Sequence, residues 1–245
     1  MFQCLKQAGR RGVTPTSSLS FSVAGTVCLP TPRRFIYKQV QRTYSSTMDP
    51  RPSPNITTTA TSGTEENLFR GIPWCQPTLN DNTFAVEPTI SRTFHTQTNE
   101  NALLARTLFD SSTIQGWCSL FRRPSHSSRN AKDECRTLLA LRPGLDGYPG
   151  VCHGGITATV LDEIMSILVA VCRDSQGLEP DNLTADLRVR YLRPVPTPSV
   201  VLVTAKVRDV QKERKYFVDA EMVDEHGVVL AKGEGLFIQK PVARL

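Results

Sequence analysis

The sequence predicts an α+β domain in which an antiparallel sheet wraps one long buried helix. Two observations carry this. An apolar run from Ile156 to Cys172 is too long for a buried strand, and four later segments alternate apolar and polar residues with period two. Turn residues bound the run, with Gly147, Pro149 and Gly150 ahead of it and Arg173-Asp174-Ser175-Gln176-Gly177 behind it. A helix apolar nearly all round needs cover on most faces, and a sheet with one apolar face supplies it.

From the N-terminus, residues 1–48 hold no Asp or Glu but carry Lys6, Arg10, Arg11, Arg33, Arg34, Lys38 and Arg42 among many Ser and Thr. That composition predicts a mitochondrial transit peptide over residues 1–44 and a location in the matrix. Arg42-Thr43-Tyr44-Ser45 is similar to the site cut by the matrix processing peptidase. The net charge of +6 therefore belongs to the leader: seven of the 29 basic residues lie there and none of the 23 acids, leaving 22 basic residues against 23 acidic ones. A near-neutral remainder argues against a nucleic-acid partner. Cys75, Cys118, Cys135, Cys152 and Cys172 are odd in number and unevenly spaced, which fits reduced thiols better than a disulfide framework. No Cys/His cluster with zinc spacing occurs, so no metal and no cofactor is expected.

Residues 45–71 are rich in Pro, Thr and Ser and predict a disordered linker. Residues 72–113 predict an N-terminal arm, partly helical, with Leu103, Leu104, Leu108 and Phe109 suggesting a short helix over Asn101 to Phe109. The main domain then spans 114–245. Trp117 to Phe121 and Cys135 to Leu141 supply two strands ahead of the helix. After it, Ala185/Leu187/Val189/Tyr191, Val201/Val203/Ala205/Val207 and Tyr216/Val218/Ala220/Met222 alternate with polar neighbours, and a last strand runs from Val228 to Ile238. Short breaks at Pro194–Pro198, Gln211–Glu213 and Glu225–Gly227 predict a four-stranded meander with one covered face.

The helix begins at His153-Gly154-Gly155 and carries adjacent acids, Asp162 and Glu163, near its middle. Those acids, and a run slightly short of a membrane span, argue against a transmembrane segment. Buried carboxylates are costly unless something satisfies or uses them. Backbone N–H groups at a helix start can hold a carbonyl that gains negative charge, and a glycine lets it approach closely. Gly154 and Gly155 are candidates for that role, although capping and close packing also explain paired glycines. Asp162 is the candidate general base or nucleophile, while Glu163, turned about 100° away on the helix, anchors it instead. His153 orients the glycine turn or the site through hydrogen bonds, with a role as solitary general base the lesser alternative. Cys152 reads as a small buried thiol. A serine hydrolase is argued against by the lack of a G-x-S-x-G elbow.

The order strand, HGG, helix, strands, with Asp162 nine residues after His153, resembles the hotdog-fold acyl-CoA thioesterases of the phenylacetate-pathway type. Pro149 to Thr159, and Leu183-Thr184-Ala185-Asp186-Leu187-Arg188-Val189-Arg190-Tyr191-Leu192-Arg193-Pro194, are similar to the mitochondrial members four and five of the thioesterase superfamily. The resemblance covers roughly residues 115–240, and the connection from Arg173 to Asn182 is longer than the family pattern. It implies a hotdog fold, hydrolysis of acyl-CoA to free acid and CoA, and Thr184 as the site hydroxyl. Coenzyme A carries phosphates, for which Arg190, Arg193, Arg214 and Lys215 are the candidate cations. Gly155 and Asp162 lie seven residues apart, about 10 Å at ~1.5 Å per residue, too far to share one carbonyl on one helix. Two antiparallel copies cure this, so a homodimer is expected, with pairing into a tetramer also open. Two other readings are a non-catalytic acyl-CoA or acyl-carrier binding protein, and a hydratase on the same fold.

Overall fold

The computed structural model describes residues 62–123 and 132–239, all within the unit Asn55–Leu245. In chain order these form α1 (Ser62–Arg70), α2 (Gln76–Leu79), β1 (Phe84–Glu87), β2 (Ile114–Arg122), β3 (Glu134–Leu141), β4 (Asp146–Tyr148), β5 (Val151–Cys152), α3 (Gly154–Asp174), β6 (Asn182–Tyr191), β7 (Ser199–Gln211), β8 (Lys215–Val223) and β9 (Val229–Gln239). The expected transit peptide over 1–44 lies outside the described residues, as does residues 45–61 of the expected linker.

Seven strands pair antiparallel in the order β1-β2-β3-β7-β8-β9-β6, and β4 pairs with β5 in a separate hairpin. The sheet curls round α3, whose Leu161, Ile164, Met165 and Leu168 pack with Trp117, Phe121, Leu139, Val203, Tyr216 and Phe237 in one buried cluster. This is the hotdog arrangement. The alternation read in β7 and β8 is the alternation of burial: Val201, Val203 and Ala205, then Tyr216, Val218, Ala220 and Met222, all face the helix.

Two expectations need correcting. The four late strands are not a simple meander, because β6 pairs with β9 at the sheet edge and not with β7. Alternation specifies which face a residue occupies, not which strand is its neighbour. Secondly, the sheet is covered on both faces along β2 and β3. Phe69, Cys75 and Phe84 pack on Cys118, Leu120, Leu138 and Ala140, so residues from 62 onward belong to the folded domain, and α1 replaces the end of the expected linker. The helix α3 is covered on most of its faces and open along one. Gly155 is exposed, and Ala158, Thr159, Asp162, Glu163, Ser166 and Ala170 are only half-buried. These positions share one stripe of the helix at 3.6 residues per turn. β6 beside this stripe is largely open too, with Leu183 48% and Tyr191 56% exposed.

Within the arm, Leu103–Thr107 forms a π-helical turn closed by Leu108 N–H donating to the Leu103 carbonyl at 2.8 Å, inside the stretch expected to be helical. Leu104 and Leu108 enter the main core while Leu103 stays exposed. All five described cysteines are free and buried. Among the described residues α3 is the helix long and apolar enough to cross a membrane, and half of that stretch is buried inside the chain. Its far end is pinned by Arg173, fully buried, which donates to the carbonyls of Glu179 (2.6 Å) and Glu213 (2.8 Å).

Candidate active site

The start of α3 is built by His153. Its backbone is extended (φ −59°, ψ 132°), and its Nδ1 accepts the Gly155 N–H at 2.9 Å, the work an Asn or Ser side chain does at other helix starts. The imidazole is held between two glycines. A Cβ at Gly147 would lie 3.1 Å from the His153 ring, and one at Gly155 would lie 2.9 Å from Nδ1. Either methyl would displace the ring from its capping position.

The four orphan N–H groups of this helix end can then be followed one by one. His153 N–H donates to the Leu145 carbonyl (2.8 Å), Gly155 N–H to His153 Nδ1, and Ile156 N–H to the His153 carbonyl (2.9 Å). Gly154 N–H is the one with no partner among the described residues. The paired glycines are therefore not equivalent: Gly155 is consumed by the cap, and Gly154 is left with a free donor.

Gly154 opens into a cleft of roughly 370 Å³ walled by Tyr148, Cys152, Thr157, Tyr191, Leu192 and Arg193. Cys152 is buried there, its thiol pKa pushed up by burial, which suits packing and not nucleophilic attack. Tyr191 donates from its hydroxyl to the Gly154 carbonyl at 2.9 Å.

Two turns along α3, Asp162 faces β6. Thr184 Oγ1 donates to its Oδ1 at 2.9 Å, so the residues singled out on helix and strand meet within one chain. The bulge between Thr184 and Asp186 in the β6–β9 pairing falls at this point. Burial raises the Asp162 pKa above the usual carboxylate value, and the Thr184 bond offsets part of that. Glu163, at the edge of the same stripe, faces Ser91 of the arm. Burial raises its pKa most, Ser91 lowers it, and the Asp162 charge raises it further, although the Ser91 hydroxyl makes no hydrogen bond of standard length.

The candidate CoA cations separate. Arg193 reaches the Gly154 cleft. Arg190, on the opposite face of β6 from Tyr191, pairs with Glu234 at 3.6 Å. Arg214 and Lys215 sit at the β7–β8 turn, whose Glu213 carbonyl is bound by Arg173 at the C-terminal end of α3. That is about 30 Å from Gly154 along a 21-residue helix at ~1.5 Å per residue. Within one chain these two are not brought to the glycine end. Among the described residues no group of three or more metal-ligating side chains forms.

Residues 149–231, from the turn before His153 into β9, match the family model of the thioesterase superfamily. Acyl-coenzyme A thioesterase THEM4 of Mus musculus is 33% identical over 112 residues, 44% of this chain and 45% of that protein. Verlamelin biosynthesis protein B of Lecanicillium sp is 24% identical over 174 residues, 60% of this chain and 75% of that protein. Among solved structures, zebrafish thioesterase superfamily member 2 matches at 18% identity and a TM-score of 0.42, over 51% of this chain and 81% of that one. The chain spans less than half the length of the THEM4 relative it matches, and the residues matched by the family model contain His153, Gly154, Gly155, Asp162 and Thr184.

Proposed function

We propose that the protein hydrolyses acyl-CoA thioesters to free acid and CoA, at a site shared between two copies of the chain. The observation that carries this is the unpartnered Gly154 N–H at the helix start, together with Asp162, partly desolvated and held by Thr184, on a helix stripe the sheet leaves open. The acyl-CoA thioesterase relatives support the same reading.

Gly154 and Asp162 are eight residues apart, about 12 Å along the axis at ~1.5 Å per residue, so one thioester carbonyl cannot meet both in one chain. Two chains related by a twofold axis, their α3 stripes antiparallel and their β6 edges adjacent, put Gly154 of one copy opposite Asp162 of the other. The carbonyl oxygen then accepts from Gly154 N–H. Asp162 takes a proton from water, whose oxygen attacks the carbonyl carbon. The tetrahedral oxyanion collapses, the C–S bond breaks, and the CoA sulfur leaves with the proton from Asp162. In the alternative route the Asp162 carboxylate attacks and water resolves the mixed anhydride. Thr184 orients the carboxylate in both. Arg193 lies on the cleft wall where a CoA phosphate can pair with it.

Gly154→Pro tests the site. Proline fits the first helical position, and His153 is already extended as a residue before proline should be, so the substitution removes the N–H and little else. The expected loss of turnover is on the order of 10²–10³. Mixing Gly154→Pro chains with Asp162→Asn chains should restore part of the activity, since half of the sites in such heterodimers are intact. No recovery in heterodimers shown to form and fold would reject the shared site, and a fully active monomer in light scattering would do the same.

The acid-free composition of residues 1–48 supports import into the mitochondrial matrix with removal of residues 1–44. N-terminal sequencing of the protein recovered from the organelle should begin near Ser45, and a functional form that retains Met1 would overturn this.

A further inference from the structure

The peptide between Gly154 and Gly155 is held at both ends from outside the helix. Its N–H donates to His153 Nδ1 at 2.9 Å, and its carbonyl accepts the Tyr191 hydroxyl at 2.9 Å. The Tyr191 ring also lies against Gly154, with ring carbons 3.5 and 3.6 Å from where a Cβ would stand. First turns of helices fray readily, and this one starts with two glycines, the residues with most backbone freedom. The orientation of the adjoining Gly154 N–H therefore depends on what grips the peptide that follows it.

We propose that Tyr191 is a positioning residue for thioester hydrolysis: its hydroxyl, opposite the His153 cap, fixes the Gly154–Gly155 peptide so that the Gly154 N–H keeps its aim at the substrate carbonyl. This rests on the hydrolytic reading above. Tyr191 ends the edge strand β6 and is 56% exposed, and its hydroxyl bonds a carbonyl that the helix itself can also use. Within one chain such an exposed bond adds little to stability. Its place beside the one free donor of the helix start gives it a function that stability does not.

The experiment measures kcat and KM for a panel of acyl-CoA substrates with Tyr191→Phe, which keeps the ring and loses the hydroxyl, in both the wild-type and the Gly154→Pro backgrounds. In the wild-type background kcat is expected to fall about tenfold, the scale of a small misplacement of a reacting group, with KM within about twofold and the melting temperature unchanged. In the Gly154→Pro background, where no N–H remains to be aimed, Tyr191→Phe is expected to change residual turnover by less than about twofold. An unchanged kcat in Tyr191→Phe would overturn the proposal, and so would the same fractional loss in both backgrounds, which would mark a general structural role. A wild-type protein that hydrolyses no acyl-CoA of the panel would instead overturn the hydrolytic reading, and the role of Tyr191 with it.

Discussion

Asp162→Asn is expected to lower acyl-CoA turnover by on the order of 10²–10⁴, the usual contribution of a positioned general base. Asparagine keeps the volume and can still accept the Thr184 hydroxyl at the oxygen corresponding to Oδ1, so the local geometry survives. It can neither take a proton from water nor attack as a carboxylate. The same substitution should raise stability at neutral pH. Burial lifts the Asp162 pKa in the folded chain above its unfolded value, so the folded state binds protons more tightly than the unfolded one. The stability this lends is present at low pH and is lost as pH rises from the unfolded pKa through the folded one, and asparagine removes that loss. Activity runs the other way: kcat/KM should fall as pH drops through the raised Asp162 pKa, and this acid limb should lie above that of an ordinary aspartate. A variant that is both more stable and nearly inactive is the expected signature of a carboxylate kept for chemistry. Unchanged turnover in a chemical denaturation-matched comparison would instead make Asp162 a structural carboxylate.

Much of this arrangement is legible in the amino-acid sequence. The length of the run after His153 demanded a helix, and period-two alternation assigned Val201, Val203, Tyr216 and Val218 to the face that meets it. What alternation cannot convey is adjacency, and so the pairing of β6 with β9 was missed, along with the open edge that results. The arm was harder for a different reason. Its burial rests on a few large residues, Phe69, Cys75 and Phe84, scattered through Pro-, Thr- and Asn-rich sequence with no period to detect. The signal lay in its partner: Leu138-Leu139-Ala140-Leu141 of β3 is apolar on both faces, which a strand needs only when both faces are covered. In the site, His153, Gly154, Gly155 and Asp162 could be picked out, but nothing in the letters ranks one glycine above the other. Only the bond from Gly155 N–H to the imidazole does so, and it shifts the free donor to Gly154. Thr184, 22 residues from Asp162, was reachable through family resemblance, whereas Tyr191 had no visible role until its hydroxyl was found on the Gly154 carbonyl.

The arm supplies the second large effect. Arg92→Met is expected to destabilise the folded protein by about 3–5 kcal/mol, the cost of leaving one member of a buried ion pair alone. The Arg92 side chain is 2% exposed and its Nη2 lies 2.7 Å from Glu65 Oε1, itself 12% exposed. The same guanidinium donates to the carbonyls of Leu104 (2.8 Å) and Ile114 (3.2 Å) and lies 3.9 Å above the Phe109 ring. One side chain thus joins α1, the Leu103–Thr107 turn and the start of β2. Burial works against the charge, and Glu65 offsets part of that cost. Methionine fills much of the space but leaves the Glu65 carboxylate and two carbonyls without their donor. Arg92→Lys should fall between the two, because an ammonium keeps the charge but cannot reach all three acceptors with one planar group. Urea denaturation monitored by Trp117 and Trp74 fluorescence measures the loss. A double-mutant cycle with Glu65→Gln then isolates the pair, since Glu65→Gln should cost much less in the Arg92→Met background than in the wild type. Additive losses would mean that the arm is held by its apolar contacts with the sheet, and that the ion pair contributes nothing to its docking.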